Sequence, residues 1–216
     1  MEAPAPGGVG MIEFFFDCSS PWTYLAFHNI LPLAAEFGET ITWRPILVGG
    51  IFNTINPSVY EGRAHPAPAP KARYSGKDLQ DWARLAGLRI KMPPTVFPVN
   101  SVKAMRACIV LEPRGELVRF ARAVFGAYWD DDLDISQEAV LRGVCDGLGL
   151  DADALFAAAD APEIKGQLRA NTDEVMARGG FGSPTIFVGG ADMYFGNDRL
   201  PLVRAALERS AGVARQ

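Results

Sequence analysis

The hydrophobic pattern near the start of the chain predicts a strand, a helix and a second strand. Residues 11–16 form a short apolar run that is typical of a buried strand. Ser20 and Pro21 then open a helix whose apolar positions recur as far as Gly38, with Ser20 as its cap. Residues 40–48 are rich in β-branched and apolar side chains and predict the second strand. A crossover of this kind favours a parallel pair of strands.

A helical pattern follows from residue 49 to residue 180. It begins with a loop that carries several prolines between residues 57 and 70. Beyond this loop apolar residues recur at helical spacing, and no segment has a convincing strand pattern. A capping-box spacing at Ser75 predicts the start of the first helix, and Asn100 can cap the second. The predicted helices cover residues 79–86, 102–109, 117–128, 140–148 and 164–176.

Strand patterning returns towards the end of the chain. Thr185–Val188, a glycine pair and a run back to Phe195 predict a two-residue hairpin, after which Asp198 can cap a final helix. The order is therefore βαβ, a long helical insertion and ββα, which is an α/β architecture. It divides the chain into one domain of residues 11–48 and 181–210, a helical insertion domain of residues 49–180, and a flexible tail of residues 1–10.

Composition and charge exclude several classes of protein. With 49% hydrophobic and 21% charged residues, the chain has the composition of an ordinary globular protein. A net charge of -4 argues against a nucleic-acid-binding surface, and no apolar run is long enough to span a membrane. Three distant cysteines without a C-x-x-C motif favour a reducing, cytoplasmic compartment. Two histidines cannot build a histidine-rich metal site, so no metal is predicted.

Three short segments carry candidate chemistry. Ser20 lies where the first strand meets a helix N-terminus, which could hold an anion, although the same residue could serve as a cap alone. The Ser183-Pro184 bond directly precedes a strand, and a cis form is possible there. Asp198 stands at another helix start, where it could cap the helix or receive an ammonium group.

Several motifs in a fixed order resemble one known family. They are residues 16–25 (FDCSSPWTYL), 70–84 (PKARYSGKDLQDWAR), 97–100 (FPVN), 181–190 (FGSPTIFVGG) and 194–200 (YFGNDRL). Over residues 11–207 the chain resembles the 2-hydroxychromene-2-carboxylate isomerases, which are relatives of kappa-class glutathione transferases and of DsbA proteins. The resemblance implies a thioredoxin-like fold with a helical insertion of the DsbA and kappa-class type.

The resemblance also implies glutathione as cofactor. Ser20 stands where redox relatives carry the first cysteine of C-P-x-C, and it would hydrogen-bond the glutathione thiolate. Ser183 and Pro184 match the family's cis-proline segment, whose backbone pairs with glutathione like an added strand. Asn197 and Asp198 match the residues that hold the γ-glutamyl end. Asn56 matches the asparagine that contacts glutathione in the family.

The implied reaction is a cis-trans isomerisation in aromatic-compound degradation, on a small aromatic carboxylate. The thiolate would add to the conjugated system, allow rotation about the resulting single bond, and be eliminated again. Trp22 replaces the tyrosine usual in the family and is expected beside the substrate. Three alternatives stay open: a kappa-like glutathione transferase, a thiol oxidoreductase using Cys18, and a non-catalytic binding module. A homodimer also stays open.

Overall fold

The computed structural model describes residues 11–57 and 68–213, with side chains as far as residue 210. The predicted tail of residues 1–10 and part of the proline-rich loop, including His65, lie outside the described residues. The strands are β1 (Ile12–Phe16), β2 (Ile41–Pro45), β3 (Thr185–Val188) and β4 (Asp192–Phe195). The helices are α1 (Pro21–Phe37), α2 (Val48–Thr54), α3 (Ala69–Leu85), α4 (Val102–Leu111), α5 (Leu117–Trp129), α6 (Glu138–Leu148), α7 (Ala152–Ala159), α8 (Pro162–Ala177) and α9 (Leu200–Val213).

The four strands form one mixed sheet in the order β2-β1-β3-β4. β1 pairs in parallel with β2 and antiparallel with β3, so that Phe14 lies beside Trp43 on one side and Ile186 on the other. β3 and β4 form an antiparallel hairpin across the glycine pair at Gly189 and Gly190. The predicted βαβ and ββα units are confirmed, and they meet at the central strand β1.

The boundaries of α1 follow the local signals in the sequence. The Ser20 side chain accepts a hydrogen bond from the Thr23 N–H, and Pro21 occupies the first turn, where no N–H is needed. Gly38 adopts a left-handed conformation with φ 66°, and its N–H bonds the last carbonyls of the helix. The predicted start and end of this helix are confirmed.

An aromatic cluster joins the sheet to the helical insertion. Phe27 of α1 lies 4.7 Å from Trp43 of β2 and 5.3 Å from Phe125 of α5, measured between ring centroids. Such pairs contribute about 0.5–1.5 kcal/mol each beyond their buried area. Because one continuous core contains residues of both parts, the insertion is packed against the sheet. The domain boundaries at residues 48 and 181 remain our proposal.

The second strand is shorter than predicted. β2 ends at Pro45, and Val48 begins α2 instead of extending the strand. The backbone here bonds to side chains rather than to a neighbouring strand: the Leu47 N–H donates to Thr172 Oγ1 at 3.0 Å and the Val48 N–H to Asp17 Oδ2 at 2.9 Å. These distant partners turn the chain away from the sheet, which the local pattern could not indicate.

Two helix predictions were also wrong in detail, and one helix was missed. α3 begins at Ala69, six positions before Ser75, so the predicted capping box lies inside a helix. α7 was not predicted, although Asp151 caps it by accepting from the Ala154 N–H. Asp198 does not cap the last helix, because it lies in a 3-10 turn and pairs with Arg199 at 2.6 Å. No helix in the described part of the chain is long and apolar enough to cross a membrane.

Candidate active site

The site is built around Ser20, at the point where β1 ends and α1 begins. Its hydroxyl accepts a hydrogen bond from the Thr23 N–H at 3.2 Å and donates one to the Ser183 carbonyl oxygen at 3.2 Å. The fold thus brings together two serines that lie 163 positions apart. The first turn of α1 contains no acidic side chain, so its free N–H groups favour an anion.

Ser183 turns its side chain into the protein and leaves its backbone beside Ser20. Its hydroxyl accepts from the Asp17 N–H at 3.0 Å and shares a hydrogen bond of 2.8 Å with the Thr23 hydroxyl. The Ser183–Pro184 bond is cis, as predicted. A Cβ at Gly182 would lie 2.8 Å from the Phe195 ring, so a larger residue there would require that ring to shift.

Two cavities meet at this segment, and Ser183 lines both. The larger, of about 590 Å³, lies between the start of α1, α2 and the segment before α4. It includes Ser20 in its lining and has apolar walls that contain Phe52, Phe97 and Val99. The smaller, of about 290 Å³, is lined by Trp22, Asp78, Trp82, Pro184, Asn197 and Asp198, among others.

Asn197, which lines the smaller cavity, carries an unpaired donor. The side chain is 2% exposed, and its Oδ1 accepts from Asn29 Nδ2 at 2.9 Å. Its Nδ2 is buried and has no hydrogen-bond partner among the described residues. The neighbouring Asp198 carboxylate is half-exposed. An amide donor beside a carboxylate acceptor suits a ligand end that carries both a carboxylate and an ammonium group.

Asn56 and Trp22 both lie outside the lining of the larger cavity. Asn56 donates from Nδ2 to the Phe181 carbonyl oxygen at 3.3 Å, which ties the chain after α2 to the segment before the cis proline. It is not in the lining of either cavity. Trp22, expected beside the substrate, lines the smaller cavity together with Asn197 and Asp198. Its indole therefore faces the residues predicted to hold glutathione.

Sequence reasoning missed Asp17, which directly follows β1 and lines the larger cavity. Its side chain is 1% exposed, and its two carboxylate oxygens accept from the N–H groups of Ser19 and Val48, each at 2.9 Å. Burial raises the pKa of the carboxyl, against the hydrogen bonds that lower it. An acidic residue directly after a strand that is apolar except for Glu13 was the available signal.

The cysteines offer no reactive thiol. Cys18, Cys108 and Cys145 are free and fully buried. Burial raises the pKa of the Cys18 thiol well above its ordinary value, and the charge of Asp17 adds to the effect. Within the ranges 11–57 and 68–213, no group of three or more His, Cys, Asp or Glu side chains is placed to hold a metal ion.

The profile of the DsbA-like thioredoxin domain family matches residues 11–208. The chain belongs to the DsbA-like thioredoxin family. The 2-hydroxychromene-2-carboxylate isomerase of Sphingobium xenophagum is 31% identical, over 91% of this chain and 97% of its own length. This identity also places our DsbA-like chain in the family of those isomerases.

Two further comparisons support the same relationship. A solved structure of a 2-hydroxychromene-2-carboxylate isomerase superposes with a TM-score of 0.77 at 26% identity, covering 93% of this chain and 95% of its own. The glutathione S-transferase kappa 1 of Homo sapiens is 25% identical over 89% of this chain and 88% of its own length. The DsbA-like fold of this protein is thus shared with isomerases and transferases.

Proposed function

We propose that this protein is a glutathione-dependent cis-trans isomerase of aromatic-degradation intermediates, of the 2-hydroxychromene-2-carboxylate type, acting in the cytoplasm. The observation that carries the proposal is the position of Ser20. It lies at a helix N-terminus and against the cis-proline segment, in the wall of an apolar cavity. At Ser183 this cavity meets the smaller one, which is lined by Asn197 with its unpaired amide donor. The similarity to isomerases of this name supports the reaction class.

The smaller cavity has the groups to hold the γ-glutamyl end of glutathione. The unpaired Nδ2 of Asn197 can donate to the α-carboxylate, and the Asp198 carboxylate can accept from the α-ammonium group. The backbone of Ser183 and Pro184 can pair with the peptide in the manner of an added strand. Asn56 contributes by holding the segment before Ser183 in place.

Ser20 and the first turn of α1 act on the thiol. When bound, glutathione supplies a thiolate that can add to a conjugated double bond and leave again. Ser20 favours this charged form by turning its O–H from the Ser183 carbonyl towards the sulfur. The free N–H groups of the first turn act in the same direction. The N–H groups are in place before the ligand arrives, and only the Ser20 hydroxyl hydrogen has to turn.

The larger cavity is the proposed site of the small aromatic carboxylate. Phe52, Phe97 and Val99 provide apolar surface for a ring, and Ser20 lies in the same wall. An aromatic ring bound in this cavity would therefore lie next to the glutathione thiol held at Ser20. The cavity volume of about 590 Å³ is within the range of small-molecule sites.

A kappa-like transferase is the second candidate, because kappa-class enzymes are also similar over most of the chain. It would use the same glutathione site, but the glutathione sulfur would stay bonded to the electrophilic substrate as a stable conjugate. A thiol oxidoreductase using Cys18 is not favoured, since that thiol is fully buried and its pKa is raised.

Calorimetric titration with glutathione, followed by an isomerisation assay with 2-hydroxychromene-2-carboxylate, tests the proposal. We expect binding, turnover that requires glutathione, and no net consumption of glutathione. Accumulation of a conjugate would favour the transferase instead. No binding at millimolar glutathione would refute both. Sedimentation equilibrium on the same sample checks whether the chain forms the homodimer that the sequence leaves open.

A further inference from the structure

Asp17 places a negative charge in the wall of the proposed thiol site. Its carboxylate accepts from Ser19 and Val48 N–H groups at 2.9 Å, and the Ser101 side chain is a third donor. A carboxylate whose two oxygens both face donors is satisfied in its ionised form, since a protonated oxygen would confront an N–H. Although burial raises the pKa of this carboxyl, the surrounding hydrogen bonds therefore favour the charge.

The groups that face this charge are neutral. In the described part of the chain, the titratable groups that interact with the Asp17 carboxylate are Cys18, Cys108 of α4 and Tyr128 of α5. Burial and then the Asp17 charge raise the pKa of the Cys108 thiol. The carboxylate already opposes thiolate formation nearby, and it shares the wall of the larger cavity with Ser20.

We infer that Asp17 is a positioning residue whose fixed charge opposes the N-terminus of α1 and so limits the acidity of a thiol held at Ser20. The inference rests on the proposed function for the identity of that thiol. Reversible addition needs a thiol that is ionised enough to attack and basic enough to remain nucleophilic. Nucleophilicity falls as the thiol pKa falls, and the optimum pKa lies near ambient pH. Ser20 and the helix lower the thiol pKa, and Asp17 raises it.

A thiol introduced by Ser20→Cys tests this without glutathione. Its pKa is read from ultraviolet thiolate absorbance, alone and combined with Asp17→Asn. We expect the second substitution to lower the thiol pKa by about one unit, because it removes a like charge. A merely structural Asp17 predicts the reverse, since a loosened helix start would raise the thiol pKa. An unchanged or raised pKa would overturn the inference. Asp146→Asn, which removes an exposed charge from α6, should leave it unchanged.

Asp17→Asn sets an amide NH₂ against a backbone donor and could prevent folding. A second measurement therefore keeps Asp17 intact. In the Ser20→Cys protein, the ¹³C shift of the Asp17 carboxyl should show a step at the pH where the introduced thiol ionises. The absence of that step would also overturn the inference. Neither measurement involves glutathione, so failed glutathione binding refutes the proposed function alone, and an unperturbed thiol refutes this inference alone.

Discussion

The Ser20 hydroxyl donates a hydrogen bond to the carbonyl oxygen of Ser183, 3.2 Å away, and so joins the start of α1 to the residue before the cis proline. The same hydroxyl accepts from the Thr23 N–H as the cap of α1. The accepting role fixes the helix start, while the donated hydrogen can turn to another acceptor in the larger cavity. The structural role of this side chain as a cap and its proposed chemical role can therefore be distinguished by mutation.

Ser20→Ala should reduce both stability and turnover. Loss of the cap should lower the free energy of unfolding by about 0.5–2 kcal/mol. Loss of a hydrogen bond to a thiolate should slow turnover by about ten- to a hundredfold, and the pKa of bound glutathione should rise. Denaturant unfolding, steady-state kinetics and thiolate absorbance measure the three effects. Asp151→Ala, which removes the cap of α7, should affect stability alone. Unchanged turnover in folded Ser20→Ala protein would refute the role of Ser20.

Asn197→Asp should weaken glutathione binding with little change of shape. The substitution keeps an oxygen for the bond from Asn29 but replaces the unpaired donor by a negative charge. We expect an affinity about ten- to a hundredfold lower by calorimetry, because a charge-assisted hydrogen bond is lost. Asn171→Ala is the control, since this equally buried asparagine donates to the Pro45 carbonyl oxygen away from the site. Equal affinity for wild type and Asn197→Asp would rule out this binding mode.

Trp22→Tyr should change glutathione affinity more than the KM for the aromatic substrate. The reason is that Trp22 lines the smaller cavity, together with Asn197 and Asp198. Phe52→Leu, in the wall of the larger cavity, should show the opposite pattern. Titration with glutathione and kinetics at saturating glutathione distinguish the two effects. A Trp22 variant altered only in substrate KM would contradict this assignment of the cavities.

Arg178→Met should destabilise the protein by about 1–3 kcal/mol, because it removes the nearer arginine partner of the buried Glu13 carboxylate and leaves only Arg44, 3.5 Å away. Glu13 is 4% exposed, and Arg178 donates to it at 2.7 Å while its guanidinium lies 3.8 Å from the centroid of the Phe187 ring. The exposed pair of Arg169 and Asp173, 3.7 Å apart, is the control, and Arg169→Met should cost no more than about 1 kcal/mol.

The same ion pair predicts how stability depends on pH. The hydrogen bond from Arg178 holds the pKa of Glu13 below its ordinary value of 4.5. The stabilisation is therefore complete above about pH 4.5 and is lost as the pH falls through the lowered pKa. Urea unfolding at several pH values should show this decline in the wild type and a weaker one in Arg178→Met. If the free energy of unfolding declined equally with falling pH in both proteins, the proposed contribution of the ion pair would be contradicted.

All three cysteines should resist thiol reagents in the folded protein. Cys18, Cys108 and Cys145 are fully buried, and burial raises the pKa of each thiol. A colorimetric thiol reagent should detect no reaction in buffer and three thiols in denaturant. Rapid modification of Cys18 in the native protein would revive the thiol oxidoreductase hypothesis.

The sequence by itself determined the elements whose signals are local. Ser20, Pro21 and Gly38 set the ends of α1, because a cap, a missing N–H and a left-handed glycine act within one turn. The glycine pair likewise determined the hairpin of β3 and β4. The cis Ser183–Pro184 bond was predicted from the family resemblance, because only a small fraction of X-Pro bonds in folded proteins is cis.

Only the tertiary structure decided where polar groups find their partners. Val48 leaves the sheet because its N–H bonds the carboxylate of Asp17, and Ser20 meets Ser183 across most of the chain. The proposed role of Asn197 likewise rests on its buried Nδ2, which has no partner among the described residues. Such facts depend on burial and on contacts between distant segments, and periodicity encodes only which side of an element faces the core. A buried polar atom must be paired, and only the folded chain determines its partner.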